Sequence, residues 1–280
     1  MLHDGRMSTS LPTHVWINGR CLTLEAARIS PFDQGLTLGD GAFETLVDRG
    51  HGPLALAAHH QRLTNACERL DLPAPSEALM RSAFQELMQA NGMTTARLRF
   101  TITRGESLFK DKPTMIASAI ALHEWPATER VRLVPWKRNP HSALTGIKSL
   151  SYGENVIALA HARTHGAGEA ILANTRDELC EGTGSNIFIV TGQRVITPPL
   201  TSGCLPGVTR ELVIAACKAS RIELEERPVP IREFLEATEA FLTSSTRDVH
   251  PISHIDDRQL PPAPGHITRS VQFAYADILR

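Results

Sequence analysis

Residues 180–211 read CEGTGSNIFIVTGQRVITPPLTSGCLPGVTRE, and the order of features in this stretch decides the fold. Glu181 is followed by small residues and then by the apolar run 186–190. This pattern is typical of a carboxylate held at a strand edge where the backbone is closely approached, and a plain turn explains it equally well. Downstream, a Pro-Gly pair precedes a predicted helix that begins at Val208 and Thr209. Free amides at a helix start suit a phosphate, although many helices begin in this way without binding anything.

Two further segments carry groups suited to chemistry. Lys148 ends the loop in TGIKSLSY, residues 145–152, and has apolar neighbours in sequence. Because burial lowers the pKa of a lysine, such an amine can act as a nucleophile or base near neutral pH, whereas a surface lysine has no such role. Residues 243–246, TSST, end another predicted strand. Their hydroxyls either cradle an anion or belong to an ordinary turn.

Elsewhere, strands and helices alternate without regular βαβ spacing, which favours an α+β fold. The clearest strand is 96–104, where apolar residues alternate with Arg97, Arg99, Thr101 and Thr103, so one face is predicted to present two guanidinium groups and two hydroxyls. Residues 35–41 are predicted to form a glycine-rich loop. Helices are predicted at 56–70, 77–91, 155–165, 207–220 and 231–240, and further strands at 14–18, 42–47, 115–122, 131–136, 169–173, 186–190, 222–226 and 240–244.

The chain length predicts two domains. Its 280 residues are about twice a usual domain. The segment HEWPAT, residues 123–128, interrupts two strand-like runs with proline and polar residues. We therefore expect a smaller N-terminal domain over 1–124 and a larger C-terminal domain over 125–280.

Composition excludes several classes of protein. The residues are 42% hydrophobic and 21% charged, which is ordinary globular composition. The formal net charge of −1 gives no long-range field to recruit nucleic acid or an anionic membrane, so a small-molecule partner is expected. Five widely spaced cysteines argue against a disulfide framework, and no apolar signal or membrane-spanning run occurs. We expect a soluble cytoplasmic protein.

Taken together and in this order, these features resemble the class IV aminotransferase family, the fold-type IV enzymes that use pyridoxal 5′-phosphate (PLP). The resemblance extends from about Val15 to Ile255 and is densest between Lys148 and Arg210. It implies a two-domain α+β enzyme similar to D-amino-acid aminotransferase, with a small N-terminal α/β domain and a larger, β-barrel-like C-terminal domain. It also implies a homodimer whose active site lies between the two domains and is completed by a partner-chain loop.

The resemblance assigns cofactor contacts residue by residue. Lys148 matches the lysine that binds PLP covalently, and Glu181 matches the glutamate that pairs with the pyridine nitrogen. Tyr152 stands where some members place a tyrosine against the cofactor phenolate, while others have a different residue there. The phosphate contacts implied by the resemblance are Arg62, in the segment HHQRL, the helix start Val208 and Thr209, and the hydroxyl turn Ser244, Ser245 and Thr246.

The substrate side is less constrained. Arg99 occupies a position that carries a carboxylate-binding basic residue in several members, and a bidentate arginine suits a carboxylate. A pair of solvated strand arginines is the alternative. The resemblance also places Leu36 and Lys110 on the substrate side. We therefore expect a small amine substrate that bears a carboxylate.

Two reactions are compatible with the same cofactor site. The segment 39–44 and the chain length are most similar to 4-amino-4-deoxychorismate lyase, which releases 4-aminobenzoate and pyruvate for folate biosynthesis, and this is the favoured expectation. The alternative is an aminotransferase acting on D-amino or branched-chain amino acids, because Glu44 stands where aminotransferases commonly have glutamate. The loop 104–110 lacks the arginine and histidine pair typical of D-amino-acid aminotransferases, and Arg97 replaces a tyrosine characteristic of branched-chain enzymes.

A non-catalytic or metal-dependent protein is the remote alternative. His161 and His165 are one helical turn apart and could share a metal ion. No glutamate lies between them as in HExxH, and no third ligand is evident in the sequence. We therefore expect no metal.

Overall fold

Two sheets organise the chain, one in each of two units formed by residues 1–123 and 124–280. The computed structural model describes residues 12–106 and 112–279, and both units combine helices with a sheet. The predicted two-domain α+β fold class is confirmed.

The N-terminal unit is an antiparallel sheet with helices. Its elements are β1 (His14–Ile17), β2 (Arg20–Thr23), α1 (Gln34–Thr37), β3 (Gly41–Asp48), α2 (Leu56–Arg69), α3 (Glu77–Ala90), β4 (Ala96–Thr103) and β5 (Thr114–Ile120). The strand order is β2-β1-β5-β4-β3, and every neighbouring pair is antiparallel. A tight turn joins β1 to β2, with Asn18 and Gly19 both at positive φ.

Helices α2 and α3 pack on this sheet through apolar side chains. Leu63, Phe84 and Phe100 are almost fully buried, and the two phenylalanine rings meet edge to face with centroids 6.2 Å apart. Helix α3 begins where the sequence predicts, because Ser76 Oγ accepts a hydrogen bond from Leu79 N at 3.2 Å.

The alternation predicted for β4 is only partly observed. Leu98 is buried and Arg97 is exposed, as expected. Thr101 and Thr103 are buried rather than presented to solvent. The Thr103 hydroxyl donates to the buried Asp33 Oδ2 at 2.9 Å. Because this hydrogen bond satisfies the hydroxyl, Thr103 can be buried although the sequence pattern places it on the solvent face.

The C-terminal unit contains the larger sheet. Its elements are β6 (Glu129–Arg138), α4 (Gly153–Thr164), β7 (Glu169–Asn174), β8 (Leu179–Gly182), β9 (Asn186–Thr191), β10 (Arg194–Thr197), a 3₁₀ turn (Leu200–Ser202), α5 (Val208–Ala219), β11 (Leu224–Glu226), α6 (Ile231–Glu236), β12 (Glu239–Ser244), β13 (Asp248–Ile255), β14 (Arg258–Gln259) and α7 (His266–Ile278). The strand order is β11-β10-β9-β12-β13-β6-β7-β8, with β14 paired to β13. Strand β6 runs parallel to both β13 and β7.

Both faces of the larger sheet are buried in its centre. Ile187 and Ile189 pack on one face with Leu242, while Phe188 stacks on Phe241 on the other with ring centroids 4.8 Å apart. This explains why residues 186–190 form a continuous apolar run rather than an alternating one.

Several elements differ from the sequence predictions. Residues 34–37 form a short helix instead of a loop, because the Asp33 carboxylate accepts the Gly35 N–H at 2.7 Å and caps it. The helix predicted over 231–240 ends at Glu236, since Ala237 is already extended at φ −54° and ψ 142°. Strands β8, β10 and β13 and helix α7 were not predicted.

Over the described ranges, none of the helices is both long and apolar enough to cross a membrane. In the same part of the chain, histidine, cysteine, aspartate and glutamate side chains form no group of three or more able to hold a metal ion. The five cysteines are free thiols.

Candidate active site

Lys148 lies in the loop between β6 and α4. It is half-buried, and its Nζ lies 5.6 Å from the centroid of the Tyr152 ring. Gly146, two residues earlier, has a φ of 77°, a backbone conformation that glycine adopts without strain. The Lys148 amine therefore lies beside the Tyr152 ring, just before the first residue of α4.

Tyr152 immediately precedes α4 and is fixed through its hydroxyl. Tyr152 Oη donates to the Thr183 carbonyl at 3.0 Å, and Asn155 Nδ2 donates to the same oxygen at 2.6 Å. Burial raises the pKa of Tyr152, and the nearby Glu181 carboxylate raises it further. The side chain therefore stays a neutral phenol near pH 7.

Glu181 lies on β8 and is held from two sides. Its Oε2 accepts the Leu205 N–H at 2.9 Å, and its Oε1 lies 3.3 Å from Arg138 Nε. Burial raises the pKa of Glu181, against the opposing effects of Arg138, the Leu205 amide and the charge of Lys148. Lys148 and Glu181 thus act on each other electrostatically within the C-terminal unit.

The start of α5 is shaped by Asn186. Asn186 Nδ2 donates to the Leu205 carbonyl at 2.8 Å, and a Cβ added at Gly207 would overlap Asn186 Oδ1. Val208 and Thr209, the first two residues of the helix, are buried. In the described chain, no side chain caps this helix, so its first amides point at a position suited to an anion.

The hydroxyl turn follows β12. Ser244 Oγ and Thr246 Oγ1 are 3.5 Å apart, and the turn closes through the Arg247 amide, which donates to the Ser244 carbonyl at 3.1 Å. Ser245 is half-buried between them. Thr243, one residue earlier, pairs with Asn186 in the adjacent strand β9.

In the N-terminal unit, Arg62 belongs to a buried charge cluster. Its Nε and Nη2 both donate to the Glu44 carboxylate at 2.7 Å, and His59 Nδ1 lies 2.7 Å from Glu44 Oε2. Burial alone raises the pKa of Glu44, but the charge of Arg62 and the hydrogen bonds from Arg62 and His59 outweigh it and lower the pKa to about 2. Arg62 is thereby held in one orientation by an ionised carboxylate.

The predicted substrate-side residues have different environments. Arg99 is half-buried on β4, with its Nε donating to Thr101 Oγ1 at 3.0 Å and its guanidinium 3.7 Å from the centroid of the Phe43 ring. Leu36 lies on α1 and is 70% exposed. Lys110 lies outside the described residues.

The residues of the C-terminal unit fit an anionic pyridine cofactor. Within the ranges that the structure describes, the buried Thr243 Oγ1 has no hydrogen-bond partner, although a hydroxyl can donate. The uncapped start of α5 supplies further donors for a phosphate. Glu181 supplies a buried carboxyl for a ring nitrogen, and Lys148 supplies an amine for an aldehyde. This donor set suits PLP.

Comparison with known proteins identifies the family. Residues 41–255 match the family described as amino-transferase class IV. The chain is 32% identical to a putative branched-chain-amino-acid aminotransferase of Methanocaldococcus jannaschii, over 94% of this chain and 96% of that protein. It is 30% identical to a D-alanine aminotransferase of Bacillus licheniformis (93% and 95% covered) and 28% identical to an aminodeoxychorismate lyase of Bacillus subtilis (93% and 93%).

Among solved structures, the chain is similar to the branched-chain aminotransferase of Thermoproteus uzoniensis crystallised with norvaline. The TM-score is 0.88 at 28% identity, and the match covers 96% of this chain and 95% of that one. Fold and site together define a PLP-dependent enzyme of fold type IV. The chain belongs to the class IV aminotransferase family.

Sequence reasoning missed the residues that support the site. Arg138 ends β6, and Asn155 and Thr183 meet through a main-chain carbonyl, which no side-chain pattern reveals. Asn186 opens the apolar run 186–190 and is the one polar residue there, which was a signal that could have been used.

Proposed function

We propose that this enzyme is an aminotransferase that moves the amino group of a branched-chain or D-amino acid to a keto acid. The observation that carries the proposal is the buried Glu181 carboxyl, fixed by the Leu205 amide within the electrostatic reach of Lys148. The choice of reaction rests on the relatives, since the two with the higher identities are named aminotransferases. The lyase expected from the sequence is therefore the second candidate.

The C-terminal unit would hold the cofactor through both of its ends. Val208 and Thr209 would offer amides to the phosphate, with Ser244, Ser245 and Thr246 supplying hydroxyls and further amides. Glu181 would hold a proton between its carboxylate and the ring nitrogen, for which its raised pKa is suited. When bound, PLP supplies an electron sink for the pair released at the substrate carbon.

Lys148 would serve as both attachment point and proton carrier. Its Nζ would be the amine that holds the cofactor aldehyde. The same Nζ would accept the proton from the substrate Cα and later give a proton back. Tyr152 donates a hydrogen bond to the Thr183 carbonyl. It would orient the cofactor ring through a second hydrogen bond at the same hydroxyl.

The N-terminal unit would contribute two guanidinium groups. Arg62, fixed by Glu44, would contact the phosphate. Arg99, whose guanidinium lies over the Phe43 ring, would bind the substrate carboxylate. Leu36 and Lys110 would border the substrate.

An aminodeoxychorismate lyase remains the second candidate because of the 28% identity to the Bacillus subtilis enzyme of that name. In that reaction Lys148 would take the ring C4 proton of the bound substrate. Loss of the enolpyruvyl group would then make the ring aromatic and release pyruvate and 4-aminobenzoate.

One assay separates the two reactions. The purified enzyme is incubated with PLP, a keto acid acceptor and each of a panel of L- and D-amino acids, and keto acid formation is measured. A parallel sample receives aminodeoxychorismate, and 4-aminobenzoate is measured by its fluorescence. Keto acid formation without 4-aminobenzoate supports the proposal, while 4-aminobenzoate release from a sample inert toward amino acids replaces it with the lyase.

We also propose that the enzyme is a cytoplasmic homodimer. Large apolar side chains are exposed in both units, among them Phe32 and Leu38 in the N-terminal unit and Val156 and Ile157 in the C-terminal unit. Exposed apolar side chains of this kind would be covered in a dimer. Light scattering coupled to gel filtration should give twice the chain mass, and cell fractionation should recover the protein with cytosolic markers.

A further inference from the structure

A buried ionic cluster lies directly behind the hydroxyl turn. The Arg247 guanidinium, 6% exposed, donates from Nη1 to Glu129 Oε2 at 2.8 Å, and its Nη2 lies 3.8 Å from Glu169 Oε2. Its carbon Cζ lies 3.6 Å from the centroid of the Trp125 ring. One cation is thus enclosed by two carboxylates and an aromatic face, all within the C-terminal unit.

His250 completes the cluster as a neutral acceptor. Its Nε2 lies 2.7 Å from the Pro126 carbonyl, which can only accept, so Nε2 carries the hydrogen. Nδ1, 3.0 Å from Arg247 Nη1, is then the acceptor. Burial and the neighbouring Arg247 charge both lower the pKa of His250, in agreement with this neutral tautomer.

Glu169 connects the cluster to the tyrosine side of the site. Its Oε1 accepts hydrogen bonds from both the amide and the hydroxyl of Thr183, and its Oε2 accepts from Ser185 Oγ at 3.1 Å. The Thr183 carbonyl in turn accepts from Tyr152 and Asn155. One ion-pair contact, from Arg247 to Glu169, followed by hydrogen bonds through Thr183, therefore connects Arg247 to Tyr152.

Arg247 also closes the phosphate-side turn through its backbone. Its amide donates to the Ser244 carbonyl at 3.1 Å and to Ser244 Oγ at 3.3 Å. Main chain and side chain of one residue thus join the turn 244–246 to the carboxylates at the starts of β6 and β7.

We propose that Arg247 is a positioning residue that holds the phosphate-side turn and the Thr183–Tyr152 pair in one fixed relation. The proposal rests on the proposed roles of Ser244 to Thr246 and Tyr152 toward PLP. A purely structural role is a poor explanation, because buried ion pairs are often no more stabilising than apolar residues of the same volume. What this cluster achieves, and an apolar core would not, is a polar connection between the turn 244–246 and Thr183.

The test compares Arg247→Met and Arg247→Lys with a matched control, Arg227→Met. Arg227 belongs to the same unit and forms an ion pair with Glu233. In the described chain it contacts neither the turn 244–246 nor the Thr183–Tyr152 pair. PLP is removed from each protein and titrated back, and the dissociation constant, the visible circular dichroism of the bound cofactor and the apoprotein melting temperature are measured.

We expect R247M to weaken PLP binding roughly tenfold or more, the loss associated with one hydrogen bond to a charged group, and to change the visible circular dichroism. R247K keeps the charge but not the fork of donors, so partial rescue is expected. R227M should leave both cofactor readouts unchanged. Where R247M gives no folded protein, R247K decides with the same readouts.

The proposal is overturned if the Arg247 variants lose melting temperature while PLP affinity and circular dichroism stay within about twofold of the native protein, a change of less than 1 kcal/mol. These readouts need no turnover. A native protein that binds PLP but does not transaminate would overturn the proposed function and leave the role of Arg247 standing.

Discussion

At the scale of single residues, Glu181 is the group whose environment is most specialised. It is a buried carboxyl whose pKa is raised by burial although Arg138, an amide and Lys148 all favour its ionised form. Such a group is suited to sharing a proton with a basic nitrogen rather than to forming a simple ion pair.

Replacing Glu181 with glutamine should therefore lower kcat/KM by roughly 100-fold or more while PLP remains bound, because the amide cannot hold the proton at the ring nitrogen. Steady-state kinetics and the visible absorption of the bound cofactor check this. Glu178→Gln is the matched control, since Glu178 lies one residue before β8 and contacts Asn174 and Arg176 instead. Activity of E181Q within twofold of native would remove Glu181 from the proposed site.

Lys148 should be indispensable. The variant Lys148→Ala is expected to lose activity by about 1,000-fold or more, because both the attachment point and the proton carrier disappear. Reduction with borohydride followed by mass spectrometry should find PLP covalently attached in the native protein and not in K148A. Lys218→Ala, on the last turn of α5, should behave as native. Labelling that persists in K148A would assign the attachment to another lysine.

At the scale of secondary-structure elements, the pairing of Glu44 on β3 with Arg62 on α2 fixes the helix to the sheet. The folded-state pKa of Glu44, about 2, lies below its ordinary value of 4.5. A depressed carboxyl pKa contributes stability that is fully present above the unfolded-state value and is lost as the pH falls toward the folded-state value. The window for this contribution is therefore pH 4.5 to about 2.

We expect the difference in unfolding free energy between native protein and Glu44→Gln to be about 3 kcal/mol at neutral pH and to shrink through this window. Urea titrations at several pH values measure it. Subtracting the unfolding free energy of the variant from that of the native protein cancels the contribution of the other carboxylates. A difference that stays constant between pH 6 and pH 3 would show that the Glu44 pKa is not depressed.

The start of α5 gives a second prediction at this scale. Gly207→Ala should weaken PLP binding roughly tenfold, because the added Cβ displaces Asn186 and with it the Leu205 segment that donates to Glu181. Gly153→Ala is the matched control, since Gly153 begins α4 and a Cβ there meets nothing within 4 Å. Titration of PLP into the two apoproteins compares them directly. Equal affinities would mean that Asn186 moves aside without cost.

Local patterns predicted the elements that carry their own signal. The start of α3 at residue 77 and the alternation around Leu98 that marks β4 were both predicted from the sequence. Strand β8 was missed because all four of its residues are buried, so no alternation marks it. Helix α7 was missed although Val271 and Tyr275 lie one turn apart on its buried side, a spacing that the sequence does contain.

The residues of the candidate site also divide into those with a local sequence signal and those without one. Lys148 and Glu181 were identified from motifs in which side chains of one short segment carry the signal. Thr183 acts through its carbonyl, and the carboxylate that fixes Arg62 comes from a strand 18 residues earlier. Contacts made by backbone groups or across distant elements depend on the fold and not on local spacing, so they became visible only in the structure.

At the scale of the whole molecule, each unit joins its first strand to a strand far along the chain. In the N-terminal unit β1 pairs with β5, and Trp16 is paired with Ala117. In the C-terminal unit β6 pairs with β13. The paired residues Glu129 and Ile252 lie more than a hundred residues apart in the sequence.

The positions of these pairings along the chain have a consequence for the nascent chain on the ribosome. The N-terminal sheet can close as soon as β5 has emerged, whereas the first strand of the larger sheet must wait for almost the entire remaining chain before it finds β13. Until β13 has been synthesised, the apolar surface of β6 must be covered by temporary contacts with other groups. We expect chains arrested before residue 248 to resist protease over the N-terminal unit only, and to be retained by chaperones through the unfinished second sheet.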